Sequence, residues 1–181
     1  MKIVFATGNK AKVRETQEIL KFDIEISPIE LDEIQEISLE KVAMHKLNQA
    51  FEIVKKPVII DDVSFSVNAW NGFPGPLIKW ILQAGNGPSL LLKMLDGEND
   101  RSAVASLAIG FHDGKKPHLF FGEAKGKIAR EVRGDNGFGW DRVFIPDGFD
   151  ETYAEMDPKL KNSISHRSIA LNKLSDFLKQ A

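Results

Sequence analysis

The sequence predicts an α/β fold, a mixed β-sheet flanked by helices, and three stretches carry that prediction. Residues 2–6 (Lys-Ile-Val-Phe-Ala) are short, apolar and β-branched, and they run through a loop into residues 11–20, where Val13, Ile19 and Leu20 recur near helical spacing. Residues 57–60 form a continuous apolar run of strand type. Residues 101–111 and 118–128 are two long extended runs joined through Asp113-Gly114, a strong hairpin signal, so they continue the sheet in antiparallel sense.

The other elements follow in chain order. Residues 22–29 alternate apolar and polar side chains as a second strand and lead into an acidic loop, residues 30–36, whose four carboxylates read as solvated. Ser38 caps a helix running to about Val54, on which Leu39, Val42, Ala43, Leu47, Ala50, Phe51 and Val54 form an apolar stripe. Residues 71–76 are dense in turn formers and fix the start of a short helix at 77–82. Gly85 to Pro88 break the chain, and Ser89 caps a second short helix through Leu95; together these helices make a small lobe over the strand edge. Residues 143–146 are a brief strand. Thr152 to Glu155 has the form of a capping box, and Asp157-Pro158 is a second helix-start signal. Ala170, Leu171, Leu174, Phe177 and Leu178 make the last helix amphipathic. His112 and His118 flank the hairpin turn and read as surface residues.

At 181 residues the chain fits a single domain, 1–181, with the helical lobe at about 77–95. Lys plus Arg number 24 against 26 for Asp plus Glu, a net charge of −2, so no global charge draws the chain to nucleic acid or anionic membrane. Phosphate binding, if present, is local. The absence of cysteine excludes disulfides, thiolate metal sites and a cysteine nucleophile. The first residues enter a strand-like segment with no basic-then-apolar leader, and no apolar run approaches membrane-spanning length. The expectation is a soluble, cytoplasmic protein.

Four stretches carry chemistry. Thr7-Gly8-Asn9-Lys10 stands between a strand and a helix, where free backbone N–H groups and the positive end of the helix favour phosphate, with Lys10 and Lys12 adding charge; a plain turn is the alternative. Asp61 and Asp62 end a strand-type run. Placed together they would repel unless a metal cation or a shared proton intervened, and oxygen ligands without sulfur point to magnesium as the cation; a turn with both carboxylates in water is the alternative. Arg133 to Asp141 combines three glycines with Phe138 and Trp140, which suits a nucleobase or, equally, a turn plugged by two rings. Lys161, His166 and Arg167 gather at the start of the last helix, where cations are locally unfavourable, as is Lys41 in the first turn of the helix begun by Ser38. Both placements suit an anionic or acceptor-rich ligand, or simple surface charge.

Taken in register, these stretches resemble the inosine triphosphate pyrophosphatase family, the Ham1-like enzymes. The similarity runs through Phe-Ala-Thr-Gly-Asn-x-x-Lys (residues 5–12), Ile-Ser-Leu-Glu-Lys (37–41), Asp61-Asp62, Phe-Pro-Gly-Pro (73–76), Gly-Phe-Gly-Trp-Asp (137–141), Thr-Tyr-Ala-Glu-Met (152–156) and Lys-Asn-x-x-Ser-His-Arg (161–167). The resemblance implies an elongated mixed sheet with two lobes about a central nucleotide-binding cleft, commonly as a homodimer. It implies hydrolysis of ITP, dITP or XTP to the monophosphate and pyrophosphate, with magnesium, or manganese in its place. By matching position, Thr7, Gly8, Asn9 and Lys12 would hold phosphates with Lys41 and Lys79 nearby, and Glu33 and Asp62 would take the metal. Asp61 would help orient water. Phe138 would stack on the base beside Gly139, Trp140 and Asp141, and Lys161, His166 and Arg167 would read its edge. Val63-Ser64-Phe65 departs from the Gly-containing sequence usual after the acidic pair, and Leu77 replaces a frequent aromatic. A nucleotide-sensing or RNA-binding module without catalysis, or a pyrophosphatase for other modified nucleotides, would use the same surface.

Overall fold

The computed structural model describes residues 2–20, 22–85 and 87–180; Met1, at the start of the predicted first strand, and Asn86, in the predicted break, lie outside them. In chain order, β1 (Ile3–Ala6) leads to α1 (Lys10–Ile19), β2 (Ile24–Ser27), α2 (Leu39–Val54), β3 (Val58–Val67) and the two-residue β4 (Pro74–Gly75). Then come α3 (Ile78–Ala84), α4 (Ser89–Met94), β5 (Ser102–His112), β6 (Pro117–Ile128), β7 (Phe144–Pro146), α5 (Pro158–Ile164) and α6 (His166–Gln180). The strands form one mixed seven-stranded sheet ordered β2-β1-β3-β5-β6-β7, with β4 on the edge of β3. The β1 pairings are parallel; those among β3, β5, β6 and β7 are antiparallel, as the hairpin signal predicts.

Strand alternation divides the core between two faces. Ile3, Phe5, Ile59, Leu107 and Ile109 pack with Leu171 and Leu174 of α6, whereas Val4, Ala6, Val58 and Ile60 pack with Ala43, Leu47 and Ala50 of α2. A third cluster joins Phe65, Ile78, Leu91, Trp140, Phe144 and Tyr153 under α3 and α4. On β6, a Cβ at Gly122 would lie 2.0 Å from the His166 carbonyl oxygen, so only glycine lets the first turn of α6 sit directly on the sheet.

Several local expectations change. The run predicted at 57–60 continues through the acidic pair to Val67, pairing with β5 over its full length from Val58–His112 to Val67–Ala103. Val63-Ser64-Phe65 is therefore strand, and Phe65 is fully buried against Trp140 with ring centroids 4.7 Å apart. His112 is not a surface residue: it is buried and stacked on Phe51 at 3.6 Å, and His118 lies 3.1 Å from Asp113. Ser89 is the first helical residue of α4 and makes no cap bond. Glu155 accepts the Thr152 N–H, but its own N–H donates to the Thr152 carbonyl rather than the side chain, in a turn with no helix after it; α5 starts at Asp157-Pro158, where the Asp157 carboxylate caps Lys159 and Leu160. Among the described residues no helix is long and apolar enough to cross a membrane.

The sheet leaves one interruption. β1 pairs with β3 only at Val58 and Ile59, and β4 pairs only at Phe65 and Ser66. The edge of β3 between them, which carries Asp61 and Asp62, has no strand neighbour on that side.

Candidate functional site

Beyond the end of β1, the open edge of β3 borders a cavity of about 540 Å³. Every residue of the predicted site lines it except Lys41. The Lys41 ammonium is 70% exposed and lies 3.1 Å from Glu36. Five residues on, about 140° further round the helix, Lys46 faces the cavity instead, beside Val42 on the same helical face.

The two aspartates are consecutive in a strand, so their side chains leave opposite faces of the sheet. They do not confront each other, and each has its own cations. Asp61 accepts from Lys12 Nζ at 2.7 Å and from Arg167 Nη1. Arg167 Nε donates to Glu15 at 2.7 Å, and the other Glu15 oxygen accepts from Lys161 Nζ at 2.8 Å. Lys161 also donates to Asp141 at 2.7 Å, and that same Asp141 oxygen accepts the Phe138 backbone N–H at 2.8 Å. One alternating chain of charge thus connects α1, β3, α6, α5 and the glycine-rich loop. The anions that the basic cluster calls for are, in the first place, the protein's own.

Burial works to raise the Asp61 carboxyl, but Lys12 and Arg167 outweigh it and hold it down at about 2. Burial likewise opposes the charge on Lys161, and Asp141 and Glu15 raise its pKa above the ordinary lysine value. His166 moves the other way: burial, with Arg167 and Lys161 nearby, lowers it well below the usual imidazole range. Its neutral ring lies 5.2 Å from Trp140, centroid to centroid, and its Nδ1 has no hydrogen-bond partner among the described residues.

On the other face, Lys46 Nζ lies 2.8 Å from Asp62 Oδ2 and 3.2 Å from Glu33 Oε1, and Lys79 Nζ reaches the same Glu33 oxygen at 2.9 Å. Burial disfavours the Lys46 charge, but Asp62 and Glu33 more than offset this and raise its pKa. Partial burial tends to raise Glu33, and Lys79 with Lys46 brings it below the ordinary carboxylate range. Asp62 Oδ1 accepts the Val63 N–H, whereas Oδ2 is ion-paired with Lys46 at 2.8 Å without a well-directed hydrogen bond. Among the described residues no three His, Cys, Asp or Glu side chains cluster as a metal site.

At the end of β1, Thr7 Oγ1 accepts the Asn9 N–H at 3.2 Å, and Asn9 Oδ1 accepts those of Ala11 and Lys12. Asn9 is the N-cap of α1, so its oxygen is spent on the helix and only its amide NH₂ remains for a ligand. Phe138 is half-buried with Lys161 Nζ 5.5 Å from its ring centre, and it separates the main cavity from a smaller hollow of about 200 Å³. Trp140 lines the main cavity too, but its ring is largely core. At Gly137, φ 73°, a Cβ would lie 2.2 Å from Asp141 Oδ2, so the bond that holds the Phe138 N–H requires glycine.

Glu15 and Lys46 were not marked by the sequence reading. Glu15 stands three residues from Lys12 on one helical face, a legible proximity, but nothing local distinguishes it from the other charges of α1. Exchanging the two α2 lysines tests the geometry directly. Lys46→Ala is expected to lower kcat/KM for a nucleoside triphosphate by about tenfold or more, against less than about threefold for Lys41→Ala. Comparable losses would put Lys41 in the site after all.

A model of the Ham1 family matches residues 3–177. A Candida albicans relative named inosine triphosphate pyrophosphatase is 41% identical, with 97% of each chain covered. A Methanopyrus kandleri relative named dITP/XTP pyrophosphatase is 40% identical, covering 99% of this chain and 97% of that one. A solved structure of a HAM1 protein from Coxiella burnetii superposes with a TM-score of 0.87 at 31% identity over the whole of both chains.

Proposed function

The chain belongs to the Ham1 family, and we propose that it hydrolyses non-canonical purine nucleoside triphosphates, ITP, dITP and XTP, to the monophosphate and pyrophosphate. The observation that carries this reading is the single cavity bordered by a strand-to-helix loop, two carboxylates with their lysines, and an aromatic ring beside paired cations. In this reading the triphosphate lies along Thr7, Gly8 and Lys12 toward Lys46 and Lys79, and the base lies at Phe138. Water held at the Asp62 carboxylate attacks the α-phosphorus. The bridging bond to the β-phosphate breaks, pyrophosphate leaves with that electron pair, and the water proton passes to the carboxylate. Lys12, Lys46 and Lys79 offset the charge on the departing group.

We propose magnesium as cofactor, held by Glu33 and Asp62. The donor set suits a hard cation: both carboxylates converge on one ammonium, Lys46, and one of their oxygens is buried without a hydrogen bond. The metal would supply further charge neutralisation on the phosphate oxygens. Base selectivity follows from the donors that Lys161 and Arg167 retain after binding their carboxylates. They suit O6 of hypoxanthine or xanthine; an adenine amino group would meet donor with donor. Homodimeric assembly, taken from the family resemblance, and action in the cytoplasm are further proposals, tested by sedimentation and by cell fractionation.

The deciding experiment is incubation with ITP and magnesium, with product identification. Inosine monophosphate and pyrophosphate are expected; inosine diphosphate with orthophosphate would overturn the reaction, and binding without turnover would make the chain a nucleotide sensor. Phe138→Ala is expected to raise KM for ITP about tenfold, the usual worth of one base–aromatic contact, with kcat largely kept. Since the ring is half-buried, the melting temperature should fall by only a few degrees. A collapsed fold would return Phe138 to the core.

A further inference from the structure

The Thr152–Glu155 turn has the sequence of a capping box without a helix to cap, and none of its residues lines the main cavity. Its bonds run instead to the glycine-rich loop. Glu155 Oε2 accepts the Thr152 N–H at 2.7 Å and lies 3.2 Å from Arg133 Nη2, which also donates to the Asp150 carbonyl at 2.7 Å. In return, Thr152 Oγ1 donates to the Arg133 carbonyl at 3.2 Å. Further along the loop, Asn136 donates from its backbone to Ala154 and from its side chain to Met156, and the Ala154 N–H donates to the Asp141 carbonyl. Both ends of the loop and its middle are therefore fastened to residues 150–156. At Gly134, φ 77°, a Cβ would lie 2.4 Å from the Ala154 carbonyl carbon, so the two segments are in direct backbone contact.

We infer that the Arg133–Glu155 pair is a positioning device for base recognition: through the loop it braces, it sets where the Phe138 ring stands at the cavity. This rests on the proposed role of Phe138 at the base. The two side chains are 32% and 30% exposed, and ion pairs that open to solvent contribute little to global stability. Their effect falls on the placement of the loop. Glu155 does not line the cavity, and its bonds run to Thr152 and Arg133, so it acts through the loop.

The test is a double-mutant cycle read in KM. Glu155→Ala is expected to raise KM for ITP about fivefold with kcat within about twofold, and Glu155→Gln, which keeps an acceptor for the Thr152 N–H, should restore most of that loss. In a Phe138→Ala background Glu155→Ala should add no further rise, because the ring it positions is gone. Inhibition by tripolyphosphate, which has no base, should be unchanged throughout. Additive KM effects, or an equal weakening of tripolyphosphate, overturn the inference. So does a lowered melting temperature with KM unmoved, which assigns Glu155 to the fold alone. If Phe138→Ala leaves KM unchanged, the stacking role itself fails; if it raises KM and Glu155→Ala does not, only the positioning role fails.

Discussion

Asp62→Asn is expected to lower kcat for ITP hydrolysis by about 10²- to 10⁴-fold while leaving the protein folded. The isosteric amide keeps Oδ1, which accepts the Val63 N–H, so the local strand is undisturbed. What changes is the other atom. An NH₂ group replaces Oδ2 and turns a donor toward Lys46 Nζ, which stands 2.8 Å away. The proton acceptor is lost, and so is one of the two carboxylates proposed for magnesium. Lys46 keeps Glu33 as a partner, so the melting temperature should move little. Steady-state kinetics with a thermal melt decides the matter: activity within tenfold of the parent protein removes Asp62 from the chemistry.

Asp61→Ala should give the opposite phenotype one residue away, a destabilisation of about 3–5 kcal/mol. Its carboxylate is the shared acceptor of Lys12 and the fully buried Arg167, and removing it leaves the buried guanidinium short of a counter-charge. Denaturant titration measures the loss, and a change below about 1 kcal/mol would mean that water or Glu15 replaces the carboxylate fully. The same group predicts acid sensitivity. Its pKa is depressed from 3.8 to about 2 in the folded chain, so its contribution, about 2 kcal/mol, is fully present above pH ~4. It disappears as pH falls from about 4 through about 2, where the folded carboxyl takes up its proton. An acid-unfolding midpoint identical in Asp61→Asn and the parent protein would contradict this.

Much of the architecture was legible because it depends on local pattern. The stripe on α2, the extended runs of β5 and β6 and the Asp113-Gly114 turn each announce their element within a short stretch of chain. Motif spacing selected positions that the fold, Lys41 apart, gathers around one cavity, even where spacing says nothing of contacts. What failed was orientation. Asp61 and Asp62 were expected to repel each other unless a cation or a shared proton offset it, but a strand running through both sends them to opposite faces. Lys41 at its helix start was read as held for a ligand or as simple surface charge; helical rotation points it to solvent and turns Lys46 to the cavity.

From the sequence alone came the mixed α/β sheet, the order of its elements and the family, because hydrophobic period, turn chemistry and motif register are properties of short stretches of chain. The tertiary structure alone decided who partners whom. Glu15 and Lys161 are 146 positions apart, and Asp61 and Arg167 are 106 apart, so no local pattern encodes their pairing. It arises because β1 stops short beside β3 and because Gly122 lets α6 lie directly on the sheet, which brings α1, β3, α5 and α6 to a single open edge. Charges that look ready for a ligand in the sequence thereby become first a network that holds itself in place, with the remaining donors aimed into the cavity.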